Sequence, residues 1–364
     1  MCNTILSNNL EPTQNKRIAW LDLARFLAIA AVVLCHSQEI ITDENSLDFL
    51  STQSFKSKVI LILLFSIGRL GVPLFLMISG YLLLDRDYNQ EGIKSFLSKS
   101  FLHLLICTEV WFLIYTLFRF SYFKESFEEL RPIETLLFVH HINVPHLWYL
   151  PMIIGTYVTV PMISLALKNL NKRYMCFVFV FCSIVSFLFP TLSQYWDIYF
   201  DKPLSWELSA GFSGGKYGLY LVAGYIIKKN WLKRINGFVL LFIGIICMIP
   251  IIHLQIASFE KGLHYTLWYD SAYLLILSIV LFELLSRIKL KHFAVYSFMS
   301  RYAFAIYIIH FIVLYVIKDL FVLDNMSNIM KIAIMLVSVY TIALIISLLI
   351  SLIPKIGKYI LYIK

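Results

Sequence analysis

The sequence predicts an all-α integral membrane fold of about ten transmembrane helices with both termini cytoplasmic. Three observations carry this expectation. Apolar runs of about 17–25 residues, the length that crosses a hydrocarbon core of about 30 Å, recur from end to end. Hydrophobic residues make up 60% of the 364-residue chain and charged residues only 15%. The basic residues alternate between successive connecting segments, and Lys and Arg are retained on the cytoplasmic side.

The predicted spans are 18–38, 59–84, 99–121, 147–167, 174–190, 214–228, 236–254, 268–286, 302–318 and 332–353. With the N-terminus inside, 19 of the 31 Lys and Arg residues fall on inner segments and eight on outer ones. The net charge of +9 is thereby a consequence of topology. No basic stripe with interleaved aromatics lies outside the spans, which sets nucleic acid aside as a partner and leaves the lipid bilayer. Residues 1–17 read as a polar cytoplasmic tail, 18–353 as a single membrane domain, and 354–364 as a second cytoplasmic tail. The longest outer loops, 39–58, 122–146 and 191–213, hold no catalytic domain, so any chemistry must come from helices and the loops that cap them.

Span one places Arg25 and His36 eleven residues apart. At 100° per residue they share one helix face, about 16 Å apart along the axis. Ionisable side chains inside a span are costly to keep and point to function. His36, beyond the small residues Ala28, Ala30 and Ala31, reads as a proton acceptor for an attacking hydroxyl or as a structural histidine bonded to a neighbouring helix. Arg25, with Asp22 at i,i+3, reads as an anion clamp facing the cytoplasm or as an interfacial ion pair. In span two, Gly68, Gly71, Ser79 and Gly80 allow close helix approach, Pro73 interrupts the backbone ladder, and Arg69 at the outer end is an anchor or a second anion contact. Glu109 in span three is a candidate to orient a His or pair an Arg.

Pro151 and Pro161 mark kinks in span four, which begins with His146, Trp148 and Tyr149. Those aromatics read as an interfacial belt or as part of a site. His140, His141 and His146 carry no acid or Cys spacing that supports a metal, and the six cysteines read as small buried apolar residues. His310 in span nine is a lone His on an apolar helix, structural by default.

Taken in order, Asp22, Arg25 and His36, the GVPLFLMISGY segment (71–81), HLWYLP (146–151) with Pro161, LVAGYII (221–227) and SRYAFAIYIIH (300–310) resemble the acyltransferase-3 family of bacterial integral membrane acyltransferases. The resemblance covers nearly the whole chain, and its layout is similar to the stand-alone O-acetyltransferases such as the type modifying enterobacterial common antigen. It implies an inner-membrane enzyme that moves an acyl group, usually acetyl, from cytoplasmic acyl-CoA to a hydroxyl of a surface polysaccharide or lipid-linked oligosaccharide. No bound cofactor or metal is implied; acetyl-CoA is a co-substrate. Arg25 and His36, with Asp22, map onto the family's activity-linked residues, while Arg69, Ser79, Glu109, His146, Trp148 and Lys99 are candidates for substrate and donor binding. The chain departs from many relatives in the first cytoplasmic loop, where Lys94, Lys99 and His103 replace an Arg-x-Arg-like pair. Two alternatives stand beside this reading. One is a transporter of a lipid-linked saccharide, and the other is the same fold using another acyl group, such as succinyl.

Overall fold

A computed structural model of the chain describes residues 18–42, 52–140, 144–202, 204–206, 208, 215–263, 267–290, 294–320, 326–353 and 356–363. Among the described residues every regular element is helical. The main helices are α1 (Ala19–Thr42), α2 (Phe55–Arg69), α3 (Gly71–Leu83), α4 (Gln90–Phe123), α5 (Tyr149–Asn169), α6 (Lys172–Phe200), α7 (Gly215–Lys228) and α8 (Gly237–Glu260). They continue with α9 (Ala272–Arg287), α10 (Ala294–Arg301), α11 (Ala303–Leu320), α12 (Asn328–Ser351) and α13 (Ile356–Leu361). Eight stretches are long and apolar enough to cross a membrane, with α2 and α3 counted as one.

Predicted spans six and eight appear as α7 and α9, of only 14 and 16 residues. At 1.5 Å per residue they run about 21–24 Å, short of the hydrocarbon thickness. α7 is buried from Gly218 to Ile227, so protein surrounds it on every side. Its contact with α3 is the closest in the bundle. A Cβ on Gly80 would lie 1.9 Å from the Leu221 carbonyl oxygen, and one on Gly224 would lie 2.0 Å from that of Met77. Only the absence of both side chains lets the two backbones meet. This is the physical content of the GVPLFLMISGY and LVAGYII segments.

α1 is the central helix, packed against α2, α3, α9, α10, α11 and α12. It runs one turn past its predicted end at 38, to Thr42. The second span breaks at Leu70, because Pro73 has no N–H to give the carbonyl of Arg69. α4 begins nine residues before its predicted start, where Asn89 caps it by accepting from the Gly92 N–H at 2.8 Å. It widens into π-helical turns at Leu97–Phe101 and Arg119–Phe123. α6 runs ten residues beyond the predicted span, so Tyr195, Trp196, Tyr199 and Phe200, expected in a loop, extend a helix instead. Tyr122 and Phe123 likewise end α4. The C-terminal segment expected as a tail folds as α13 and packs against α4, α11 and α12.

Candidate active site

The lower half of the site grows from Arg25. Its Nη1 donates to Asp22 Oδ1 at 2.8 Å, and the same oxygen accepts from Ser300 Oγ on α10 at 2.9 Å. Asp22 is buried, whereas the Arg25 side chain keeps 27% of its surface exposed, so the pair aims Arg25 instead of hiding it. Arg25 opens into an inner cavity of about 430 Å³ between α1, α3, α4, α5, α10 and α11. Ser79 lines it within hydrogen-bond distance of the Tyr157 hydroxyl, 3.2 Å, and Tyr149 and Ile153 lie on its wall. Arg86, Ser100 and Tyr362 also line a second, larger cleft of about 820 Å³ at the same end of the bundle. Lys99 and His103 face that cleft, carried there by the π-helical turn of α4 and the residues after it. Lys94 does not line it.

The upper half is built around His36. Its Nδ1 is 2.5 Å from Glu39 Oε2, one helical turn further along α1. An ionised carboxylate only accepts, so Nδ1 carries the proton shared with Glu39 and Nε2 faces away from it. Glu39 is held in turn by Arg69 Nη2 at 3.2 Å, and Cys35 Sγ donates to its other oxygen at 3.5 Å. Cys35 and His36 therefore share one carboxylate. The Arg69 side chain is buried; its guanidinium lies 4.5 Å from the Phe65 ring centre and 4.6 Å from that of Trp268.

Two further histidines complete the cluster. The His310 ring stacks on His36 with centroids 5.4 Å apart, and His146 lies 6.3 Å from His36 and 4.9 Å from His310. His310 Nδ1 donates to the Tyr307 carbonyl at 2.5 Å, which leaves its Nε2 as an acceptor. That Nε2 and both ring nitrogens of His146 are buried with no hydrogen-bond partner in the protein. Tyr307 fixes the His146 backbone by donating to its carbonyl at 2.5 Å, and Phe311 stacks on the His146 ring at 4.7 Å. Trp148 belongs to an aromatic group beside the cluster, 5.3 Å from both Tyr217 and Tyr269 and 6.1 Å from Trp268.

Asp22, Arg25 and Ser79 are thus gathered at one level, and His36, Arg69, His146 and Trp148 at another. Lys99 lies at the cleft mouth. Glu109 is not brought in: no hydrogen bond or ion pair joins it to another described residue, and Glu39 is the carboxylate that orients the histidine. Glu39 is the first residue of the predicted outer loop 39–58, and its i,i+3 spacing from His36 is the signal that finds it. The backbone N–H of His140 donates to the Glu134 carbonyl, and His141 falls outside the described residues. No group of three potential metal ligands occurs among the described residues.

The helical membrane bundle thus carries one open basic cleft and one largely buried histidine cluster, joined along a single helix. The chain matches the family model of the acyltransferase-3 family, described as an acyltransferase domain, over residues 18–354 and belongs to that family. It is a multi-pass membrane acyltransferase. No curated protein and no solved structure matches it.

Proposed function

We propose that this acyltransferase moves an acetyl group from cytoplasmic acetyl-CoA to a hydroxyl of a surface polysaccharide or its lipid-linked precursor, in the bacterial inner membrane. One observation carries the reading: α1 holds Arg25 in an open cavity at one end and His36, oriented by Glu39, in a largely buried cluster at the other. Family membership removes the transporter alternative. The donor's phosphates rest on the basic side chains of the larger cleft, and its pantetheine arm enters the inner cavity beside Arg25 and Ser79. The rise of about 16 Å from Arg25 to His36 suits an extended arm that delivers the thioester from below. The acceptor sugar approaches from the aromatic group at Trp148, Trp268 and Tyr217, whose rings offer faces to a sugar.

In the transfer step His36 Nε2 takes the proton from the acceptor hydroxyl as its oxygen attacks the thioester carbonyl carbon. A neutral His146 necessarily bears one N–H, and its nitrogens have no partner in the protein, so it supplies a donor for the developing oxyanion. The C–S bond then breaks, and the CoA thiolate receives the proton from His36. Attack is direct, and Cys35 serves Glu39 as a donor.

Mass spectrometry of surface-glycan acetyl content tests this in cells expressing wild type or His36→Ala at matched membrane levels. Acetyl is expected with wild type and absent with the variant. Equal content in both removes His36 from the reaction, and a succinyl or other adduct in place of acetyl changes the donor.

A further inference from the structure

The donor cleft has a wall that lies beyond the residues matched by the family. The match ends at 354, yet α13 and the residues after it fold back into the bundle. Trp111 Nε1 and Cys107 Sγ, both on α4, donate to the Ile360 carbonyl at 2.7 and 3.0 Å. Tyr362 Oη donates to the Ser100 carbonyl at 3.1 Å, and its ring meets Phe304 of α11 at 5.3 Å. These contacts leave Tyr359, Tyr362 and Ile363 facing Arg86, Lys99 and His103 across the cleft of about 820 Å³.

The two sides offer different chemistry. Tyr359 keeps 48% of its surface exposed and lies ring to ring with His103 at 4.7 Å. His103 Nε2 is buried with no hydrogen-bond partner in the protein. Aromatic faces beside such a nitrogen suit a heterocyclic base, which stacks and hydrogen-bonds at once. Lys99 and Arg86 supply the charge that phosphates need. Asp87, the acid on the rim, is paired with Lys168 at 2.6 Å, which offsets part of its charge.

We propose that the C-terminal segment 356–363 is the base-binding wall of the donor site, with Tyr359 and His103 forming the platform for the adenine of acyl-CoA. The inference rests on the acyl-CoA reading above. It adds a binding role for residues outside the family match, and it accounts for the departure in the first cytoplasmic loop. Where an Arg pair is missing, the chain uses Lys99, Arg86 and a stacking surface supplied by its own C-terminus.

The test is equilibrium binding of CoA and of 4′-phosphopantetheine, which lacks the adenosine and two of the three phosphates, to the full-length protein in lipid nanodiscs. Wild type, Tyr359→Ala and Tyr359→Trp are compared. Tyr359 is exposed, so its truncation leaves the buried contacts of Ile360 and Tyr362 in place. Tyr359→Ala is expected to weaken CoA about ten-fold and leave 4′-phosphopantetheine unchanged, with Trp restoring CoA affinity. Equal CoA affinity in wild type and Tyr359→Ala overturns the proposal, and so does an equal loss for both probes. Failure of the wild type to bind CoA at all is a different result: it overturns the donor reading itself.

Discussion

The two ends of α1 carry ionisable side chains in opposite surroundings. Arg25 keeps 27% of its side chain exposed, is braced by one carboxylate, and looks into connected cavities lined with cations. The His36 side chain keeps 11% and sits among two other imidazoles, Phe311 and the Glu39–Arg69 pair. The more exposed guanidinium can meet a charged ligand, while the lower exposure of the imidazole strengthens each electrostatic contact around it. On the proposed function the helix separates binding from chemistry, so substitutions at its two ends should divide between KM and kcat.

Glu39→Gln is the sharpest way to break this division. The amide keeps the size of the side chain but no longer fixes the Nδ1–H tautomer of His36. We expect kcat to fall between about 10²- and 10⁴-fold, with the donor KM and CoA affinity unchanged. Glu39→Asp should recover part of the rate. A matching loss of CoA affinity would assign Glu39 to the fold through Arg69, because it would show the cleft collapsing with the cluster.

Arg25→Ala should act at the other end. A charge-assisted hydrogen bond contributes about 1.5–3 kcal/mol, so the donor KM is expected to rise at least about ten-fold while kcat changes less. Steady-state kinetics with acetyl-CoA varied at saturating acceptor gives both numbers. A fall in kcat at constant KM would place Arg25 in the chemical step and erase the distinction between the ends.

What the sequence could tell about this site follows from separation along the chain. Arg25 and His36 were legible because helical phase relates residues on one element. Glu39 was within the same reach, but ending the span at 38 placed it in a loop, and the extra turn to Thr42 returns it to the His36 face. Arg69 is aimed inward by the break at Leu70, of which Pro73 gave notice. The assembly of His36 with His146 and His310 joins segments more than 100 residues apart, and no local pattern encodes it. Trp148 and Trp268 meet in the same way. The helical class and most of the span positions were legible from hydropathy. α7 and α9 stand apart as the short, largely protein-surrounded helices of predicted spans six and eight. α13 has only six residues of helix, too short a run to stand out, and only its docking on α4 shows that it belongs to the domain.

The smallest expected effect sharpens the comparison by sparing both ends of α1. Asp85, just past α3, bridges Lys228 Nζ at 3.3 Å and Lys229 Nζ at 2.6 Å and so ties the foot of α3 to that of α7. Partial burial works to raise its pKa, but the hydrogen bond from Lys229 and the charge and hydrogen bond of Lys228 win and hold it below the ordinary carboxylate range. A carboxyl whose folded pKa is depressed adds stability above its unfolded value of about 3.9, and that stability is lost as pH falls through the lower folded value. Lys229, raised mainly by the hydrogen bond to Asp85, gives the mirror image: its contribution is complete below about 10.4 and fades above. Asp85→Asn should therefore lower Tm at neutral pH by a few degrees at most, as befits a part-exposed pair contributing about 1 kcal/mol or less. It should also flatten the acid limb of Tm between about pH 5 and 3. Both kcat and the donor KM should stay at wild-type values, because the triad touches neither end of α1. An acid limb as steep in the variant as in wild type would move the pH sensitivity to other carboxylates. A changed donor KM would instead show that the α3–α7 foot sets the width of the cleft beside Arg86, coupling the latch to the open end alone.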